Sequence, residues 1–174
     1  QITPWNAPIF TAGWQLAPAL CTGNAAVLKP SEMTPLTAPK LAEIFKQSGM
    51  PDGVYNCVQG ARDTGAALVE HSGIEKVSLT GEVGTGRKVM ASAAASLKHV
   101  TMELGGKSPH VVFEDTDDLE TAAQAVIAGI FRNSGQVCIA GSRLLVQDSI
   151  HDTFVEKIIA ITQKMRVGDP LSLE

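Results

Sequence analysis

A cysteine and a glutamate are the two residues of this 174-residue sequence best suited to covalent chemistry. Cys138 closes the run Gly135-Gln136-Val137-Cys138, just after the end of a predicted helix. A polar turn with free backbone N–H groups favours the thiolate form of a cysteine, which is a strong nucleophile. The alternative interpretation is that Cys138 is a small buried apolar residue.

Glu103 stands at the end of a predicted strand and is followed, after one leucine, by Gly105 and Gly106. A carboxylate at the point where a parallel strand leaves its sheet is well placed to act as a general base. Two glycines behind it allow close approach of the backbone to a ligand. A solvated charge at a strand end is the alternative interpretation.

A glycine-rich turn, residues 80–86, lies between a predicted strand and a predicted helix. Gly81, Gly84 and Gly86 have the spacing G-x-x-G-x-G rather than that of the usual dinucleotide fingerprint. The position of the turn favours an anion at the helix N-terminus. The carboxylate of Glu82 would compete with a phosphate for the same N–H groups.

The segment Lys29-Pro30-Ser31-Glu32 follows another predicted strand. A lysine and a glutamate at a strand end can hydrogen-bond ribose hydroxyls, the glutamate through the 2′-hydroxyl. The alternative is a surface turn in which Ser31 or Thr34 caps the next helix.

The elements that must position these residues alternate between short apolar runs and stretches of helical periodicity. The predicted strands cover residues 25–28, 54–58, 76–79, 100–104, 110–113 and 143–146. The predicted helices cover residues 9–20, 34–48 (with Pro35 in its first turn), 65–70, 87–95 and 119–131, and a last one carries Phe154, Ile158, Ile161 and Met165. This alternation is typical of βαβ crossovers, so the sequence predicts an α/β fold with a parallel sheet. The turns at Lys29, Gly60 and Gly81 would then share the carboxyl edge of that sheet, where such folds bind ligands.

Composition excludes several classes of protein. The chain is 44% hydrophobic and carries a net charge of -4, which gives no electrostatic footprint for nucleic acid. No apolar run approaches the roughly 20 residues that a membrane helix needs. The termini resemble cuts within a longer protein, and no signal peptide is visible.

The cysteines and histidines indicate neither a disulfide framework nor a metal site. Cys21, Cys57 and Cys138 are odd in number and widely spaced, which favours a reducing compartment and predicts a cytoplasmic protein. Cys21 and Cys57 lie in apolar runs and are interpreted as small buried residues. The histidines lack metal-ligand spacing and are interpreted as ordinary surface or strand-edge residues: His71, His99, His110 and His151.

Taken together, these segments resemble the aldehyde dehydrogenase superfamily over essentially all 174 residues. The matching motifs are Pro4-Trp5-Asn6-Ala7-Pro8, Lys29-Pro30-Ser31-Glu32, Leu79-Thr80-Gly81 with Gly84 and Gly86, Met102-Glu103-Leu104-Gly105-Gly106-Lys107-Ser108 and Gly135-Gln136-Val137-Cys138. The Glu-Leu-Gly-Gly-Lys block 35 residues before a Gly-Gln-x-Cys is the strongest of these signals. The surrounding sequence is closest to the group that includes betaine-aldehyde dehydrogenases.

The resemblance implies oxidation of an aldehyde to a carboxylic acid with NAD(P)⁺. The Cys138 thiolate would attack the aldehyde, with the oxyanion held by the Asn6 side chain and the backbone N–H of Cys138. After hydride leaves for the nicotinamide, Glu103 would activate the water that hydrolyses the thioester. A CoA-acylating relative and a non-catalytic, crystallin-like relative are the alternatives.

The resemblance also implies a cofactor site. Trp5 and the Gly81 turn would line the pyrophosphate, Lys29 and Glu32 would hold the adenosine ribose, and Leu104 would touch the nicotinamide end. Glu32 would repel a 2′-phosphate, so NAD is expected rather than NADP. The cofactor-binding residues implied are Trp5, Lys29, Ser31, Glu32, Gly60, Gly81, Glu82, Gly84, Gly86 and Leu104.

The chain departs from the family at two positions and covers only part of it. Many members carry serine at the position of Glu82 and lysine at that of Gln15. The resemblance implies a Rossmann-like cofactor domain over residues 1–104 and the start of an α/β catalytic domain over residues 105–174. The complete enzyme is expected to form homo-oligomers, whereas the 174 residues alone are expected to show no turnover and to expose apolar surface.

Overall fold

The structure is a computed structural model that describes residues 1–172. Its helices are α1 (Pro8–Cys21), α2 (Thr37–Gln47), α3 (Arg62–Glu70), α4 (Val83–Ala94), α5 (Leu119–Phe131) and α6 (His151–Thr162). Its strands are β1 (Ala26–Leu28), β2 (Tyr55–Cys57), β3 (Lys76–Gly81), β4 (His99–Leu104), β5 (Pro109–Val112) and β6 (Arg143–Val146). Short 3-10 turns follow α5 and β6 at Arg132–Gly135 and Asp148–Ile150.

Consecutive strands pair in parallel: β1 with β2, β3 with β4, and β5 with β6. Each of these pairs is joined by a helix, because parallel neighbours need a crossover to bring the chain back to the same edge. The predicted α/β fold with parallel pairing is therefore confirmed.

The first three residues connect the β1–β2 pair to the β3–β4 pair. Ile2 forms parallel bridges to Lys29 on one side and to Leu79 on the other. Its N–H donates to the Ser78 carbonyl at 2.8 Å, and its own carbonyl accepts from the Thr80 N–H at 3.1 Å. The spatial order is thus β2, β1, residues 1–3, β3, β4, with all carboxyl ends at one edge.

Helices cover both faces of this array. On one face α1 and α2 pack on β1 and β2 through Ala12, Leu16, Ala26, Leu28, Ala38 and Tyr55. On the other face α3 and α4 pack on β3 through Val69, Val77, Leu79, Val89 and Ala93. The burial of these apolar side chains holds the strand ends in fixed relative positions.

The β5-α5-β6-α6 segment has its own core. Val112 of β5, Ala123 and Val126 of α5, and Phe154 of α6 are buried together, with Phe154 fully inaccessible. Asp118 caps the start of helix α5, since its carboxylate accepts hydrogen bonds from the Glu120 N–H and the Thr121 hydroxyl.

The chain divides into two compact units, Gln1–Gly105 and a second one that begins at Gly106. The sequence placed a boundary at nearly the same point, between residues 104 and 105. The assignment of the two units to cofactor binding and catalysis stays a prediction. Within residues 1–172, no helix combines the length and the apolar character needed to cross a membrane.

Three local predictions were wrong. The strand β3 runs through Gly81 and α4 begins at Val83, so Gly84 and Gly86 lie in a helix rather than in a turn. Helix α2 begins at Thr37 behind Leu36, so Pro35 precedes the helix and neither Ser31 nor Thr34 caps it. Cys21 is exposed at the end of α1 and not buried, because it lies outside the apolar stripe of that helix.

Candidate active site

The parallel strands of the first unit bring four predicted cofactor residues to one edge. Gly81 ends β3, Leu104 ends β4, Lys29 follows β1, and Gly60 lies three residues beyond β2. The chain after Ile2 leaves at this same edge, since residues 1–3 run parallel to β1 and β3. Trp5, which is exposed, and Asn6, which is half-buried, therefore stand at the carboxyl edge just before α1.

Lys29 is a buried cation within this edge. Its Nζ donates to the carbonyls of Pro30 and Gly60, both at 2.7 Å, and lies 3.8 Å from the Glu32 carboxylate. Burial lowers the pKa of Lys29, while the charge of Glu32 opposes that shift. An ammonium group carries three N–H bonds, so one remains to meet a ligand hydroxyl beside an exposed carboxylate.

Glycines allow close packing around these residues. Gly60 has a φ of +147°, and a Cβ there would overlap the Thr64 side chain. A Cβ on Gly86 would lie 2.9 Å from Cδ2 of Leu104, so Leu104 rests directly on the first turn of α4. Ser31 accepts hydrogen bonds from the N–H groups of Met33 and Thr34 and forms a turn after Lys29.

Glu82 caps the N-terminus of α4. Its carboxylate accepts hydrogen bonds from the N–H groups of Gly84 at 2.6 Å and Thr85 at 2.9 Å. The bond from Gly84, followed by that from Thr85, lowers the pKa of Glu82. Its contribution to stability is therefore present at neutral pH and is lost in acid, as the pH falls through the lowered pKa. Glu82 thus contacts the same N–H groups for which it was expected to compete with a phosphate, and the phosphate site itself stays a prediction.

Glu103 is exposed on β4 and pairs in register with Thr80 of β3. The Thr80 hydroxyl accepts a hydrogen bond at 3.1 Å from Nε2 of Gln15, which is buried on α1. The Gln15 Oε1 atom is buried and has no partner among the described residues. Gln15 therefore supplies a neutral amide beside the strand that pairs with Glu103, at a position where the sequence resemblance places a lysine in many members.

Cys138 lies in the second unit and is exposed. Between the end of α5 and this residue the chain passes through three left-handed positions: Asn133 (φ 52°), Ser134 (φ 56°) and Gly135 (φ 75°). A left-handed conformation costs a residue with a side chain roughly 1 kcal/mol, whereas glycine adopts it freely. This turn reverses the chain and presents Cys138 to solvent.

The segment 136–141, which we call the Cys138 loop, is held by backbone contacts. The Gln136 N–H donates to the Asn133 carbonyl at 3.1 Å, and the Gly141 N–H donates to the Gly129 carbonyl of α5 at 3.2 Å. A Cβ on Gly106 would stand 3.1 Å from the Cys138 carbonyl oxygen, so a side chain there would press on the loop.

Sequence reasoning missed two residues near these groups. Gln15 was noted only as a departure from the family, and its contact with Thr80 follows from helix packing that no local pattern reveals. His110 was interpreted as an ordinary histidine, but its Nε2 atom is buried and has no hydrogen-bond partner among residues 1–172. His71, His99 and His151 are exposed, in agreement with the prediction. Within the same range, no three His, Cys, Asp or Glu side chains cluster to hold a metal ion.

Comparison with known proteins gives one consistent family. The model of the aldehyde dehydrogenase family matches residues 1–174. The chain is 54% identical over 173 residues to a betaine aldehyde dehydrogenase of Mesorhizobium japonicum. The matched region covers 99% of this chain and 35% of that relative. It is also 54% identical over 169 residues to a betaine aldehyde dehydrogenase of Brucella ovis, covering 97% and 34% respectively.

Solved structures show the same similarity. The γ-glutamyl-γ-aminobutyraldehyde dehydrogenase of Burkholderia cenocepacia superposes with a TM-score of 0.95 at 46% identity, over 98% of this chain and 35% of that one. A betaine aldehyde dehydrogenase of Staphylococcus aureus in complex with NAD⁺ gives a TM-score of 0.95 at 41% identity, over 100% and 34%. The chain therefore spans about a third of the length of the relatives it matches.

The left-handed turn before Cys138 makes a prediction about stability. Ser134→Gly should stabilise the protein by at most about 1 kcal/mol, because glycine removes the steric cost of the positive φ but adds conformational entropy to the unfolded chain. Chemical denaturation measures this change. Ser142→Gly is the matched control, since Ser142 is exposed and is not among the positive-φ residues of 1–172, and it should be neutral or destabilising. A loss of stability in the Ser134 variant would contradict the prediction.

Proposed function

Because this chain belongs to the aldehyde dehydrogenase family, we propose that the full-length enzyme oxidises an aldehyde to a carboxylic acid with NAD⁺ through a thioester on Cys138. The observation that carries the proposal is the exposed Cys138 thiol in a chain that matches the family from its first residue to its last. Since the chain covers about a third of its relatives, the activity is proposed for the complete enzyme.

The first step is attack of the Cys138 thiolate on the aldehyde carbon. A C–S bond forms, and the carbonyl electron pair moves to oxygen as an alkoxide. The proposed donors to that alkoxide are the Asn6 amide and the backbone N–H of Cys138. A single such donor lowers a barrier of this type by about 3 kcal/mol. Collapse of the alkoxide expels hydride, which NAD⁺ accepts when bound, and leaves a thioester on Cys138.

The second step is hydrolysis of the thioester. Glu103 takes a proton from a water molecule, whose oxygen then attacks the acyl carbon, and the Cys138 thiolate leaves. The exposure of Glu103 at the end of β4 supports this role, because a general base must reach solvent. Its presence also favours hydrolysis over the transfer of the acyl group to coenzyme A, and the Cys138–Glu103–Asn6 set disfavours a non-catalytic protein.

The carboxyl edge of the first unit has groups that fit a dinucleotide. Lys29 has one N–H left after its two backbone bonds, and Glu32 provides an acceptor beside it, which together match the two hydroxyls of a ribose. Glu32 would repel a 2′-phosphate, which supports NAD rather than NADP. Glu82 must leave the N–H groups of α4 if a pyrophosphate is to use them.

The chemistry of the substrate is suggested by the relatives. Three of the proteins compared above are named betaine aldehyde dehydrogenases, so betaine aldehyde is the first substrate to test in a panel of aldehydes. Phe10 and Trp14, both exposed on α1, form an edge-to-face pair with ring centroids 5.4 Å apart. We propose that this pair forms part of an apolar entrance for the aldehyde.

Replacing the nucleophile tests the first step. In the full-length enzyme, Cys138→Ala should reduce aldehyde-dependent NADH formation by at least about 10⁴-fold, because no other group forms the thioester. The absorbance of NADH measures this rate. Cys21→Ala is the matched control, since Cys21 is also an exposed thiol, and it should retain full activity. Activity in the Cys138 variant would overturn the proposal.

Replacing the general base tests the second step. Glu103→Gln should still give a rapid burst of one NADH per site, followed by turnover about 100-fold slower, since only hydrolysis is impaired. Stopped-flow absorbance separates these phases. If turnover of the wild-type enzyme depends on added coenzyme A, and Glu103→Gln turns over as fast as the wild type, the acylating alternative is supported instead.

Replacing the α4 cap tests the cofactor site. Glu82→Gln should bind NAD⁺ about threefold to tenfold more tightly, because the variant removes a negative charge that opposes the pyrophosphate. Quenching of intrinsic fluorescence on titration with NAD⁺ measures the affinity. For comparison, Glu32→Gln should reduce the difference in affinity between NAD⁺ and NADP⁺. Unchanged NAD⁺ affinity in the Glu82 variant would place the pyrophosphate elsewhere.

A further inference from the structure

His110 occupies a tight space between two glycines in the second unit. It lies on β5, and its imidazole ring faces α5 at Gly129 and the end of the Cys138 loop at Gly141. A Cβ built on Gly129 would lie 2.7 Å from Cε1 and Nε2 of the ring, and one on Gly141 would overlap the ring outright. The imidazole therefore fits only because both neighbours lack side chains.

The same two glycines join the Cys138 loop to α5. The Gly141 N–H donates to the Gly129 carbonyl at 3.2 Å, and the preceding residue, Ala140, is buried. Cys138 stands three residues before this hydrogen bond. The His110 ring thus packs against the point at which the loop is anchored.

The buried Nε2 atom of His110 has no hydrogen-bond partner within the described residues. The ring is therefore held there by packing rather than by a specific polar contact. The Gly106 backbone also approaches the Cys138 carbonyl, with 3.1 Å between that oxygen and a Cβ placed on Gly106. The loop thus makes two close contacts, one with Gly106 and one with His110.

We propose that His110 is a positioning residue for Cys138. The imidazole packs against both Gly129 of α5 and Gly141 of the loop, beside the hydrogen bond that joins them, and so helps to fix where the thiol and the backbone N–H of Cys138 stand. Displacement of a reacting group by about 1 Å can cost as much as about 100-fold in rate. The inference rests on the proposed role of Cys138 as the nucleophile, and it assigns to His110 no contact with the substrate.

Replacing His110 tests the inference in the full-length enzyme. His110→Ala should lower kcat about tenfold to 100-fold with little change in KM, because the loop loses its support while the substrate site is kept. The rate at which iodoacetamide alkylates Cys138, followed by mass spectrometry over a range of pH, should fall together with kcat. His110→Leu, which fills much of the same volume, should recover part of both rates and serves if the alanine variant does not fold.

Val112→Ala is the matched control for a general loss of packing. Val112 is buried on the same strand and, two residues from His110, on the same face, but it packs on Ala123, Val126 and Phe154 rather than on the loop. It should lower the melting temperature and leave kcat and the alkylation rate unchanged. Equal effects of the Val112 and His110 variants on alkylation would reduce His110 to an ordinary core residue and overturn the proposal.

Gly129→Ala tests the spacing from the other side. Alanine is otherwise favoured within a helix, but its methyl group here would push the imidazole toward Gly141. Gly129→Ala alone should slow alkylation and turnover. The double variant Gly129→Ala with His110→Ala should be more active than His110→Ala alone, because the added methyl group fills part of the space that the imidazole leaves. Additive effects in the double variant would overturn the proposal.

The failure of this inference can be told apart from a failure of the proposed function. If Cys138→Ala keeps its activity, Cys138 is not the nucleophile and the proposed function fails. If Cys138→Ala is inactive while His110→Ala and His110→Leu match the wild type in kcat and alkylation, only the role of His110 is overturned.

Discussion

Main-chain hydrogen bonds made by residues 1–3 hold the first unit together at its centre. Ile2 lies between β1 and β3 and pairs with both, so two strand pairs become one parallel array. Because the pairing is parallel, the chain that follows must leave at the same edge as the ends of the strands. Trp5 and Asn6 are placed beside Lys29 and Gly81 by this register alone, before any side-chain contact contributes.

The edge so formed carries two charged groups in opposite situations. Burial lowers the pKa of Lys29, while hydrogen bonds to two backbone carbonyls replace part of its lost hydration and hold the ammonium group in place. Glu82 is exposed, and its carboxylate accepts hydrogen bonds from the first N–H groups of α4. A stronger anion could therefore displace it. A fixed cation and a displaceable anion would suit the proposed cofactor site, which has to bind a charged molecule and release it again.

Much of the fold could be predicted from sequence because the apolar pattern is strong where helices pack on strands. The order of elements and the parallel pairing both follow from local periodicity. The start of α4 was missed because glycines were interpreted as a turn, while Glu82 supplies a cap that allows the helix to begin among them. The fit of His110 between Gly129 and Gly141 could not be predicted, because it joins three elements that no local pattern connects.

The three left-handed residues before Cys138 also limit how this part of the chain can change in length. Each residue of such a turn rotates the direction of the chain by a large angle, so one insertion or deletion between Arg132 and Gln136 would point the following residues elsewhere. Ordinary surface loops absorb such changes at little cost. Here the number of residues itself is part of the site, and length variation among homologous chains should be confined to other connections, such as the one between β5 and α5.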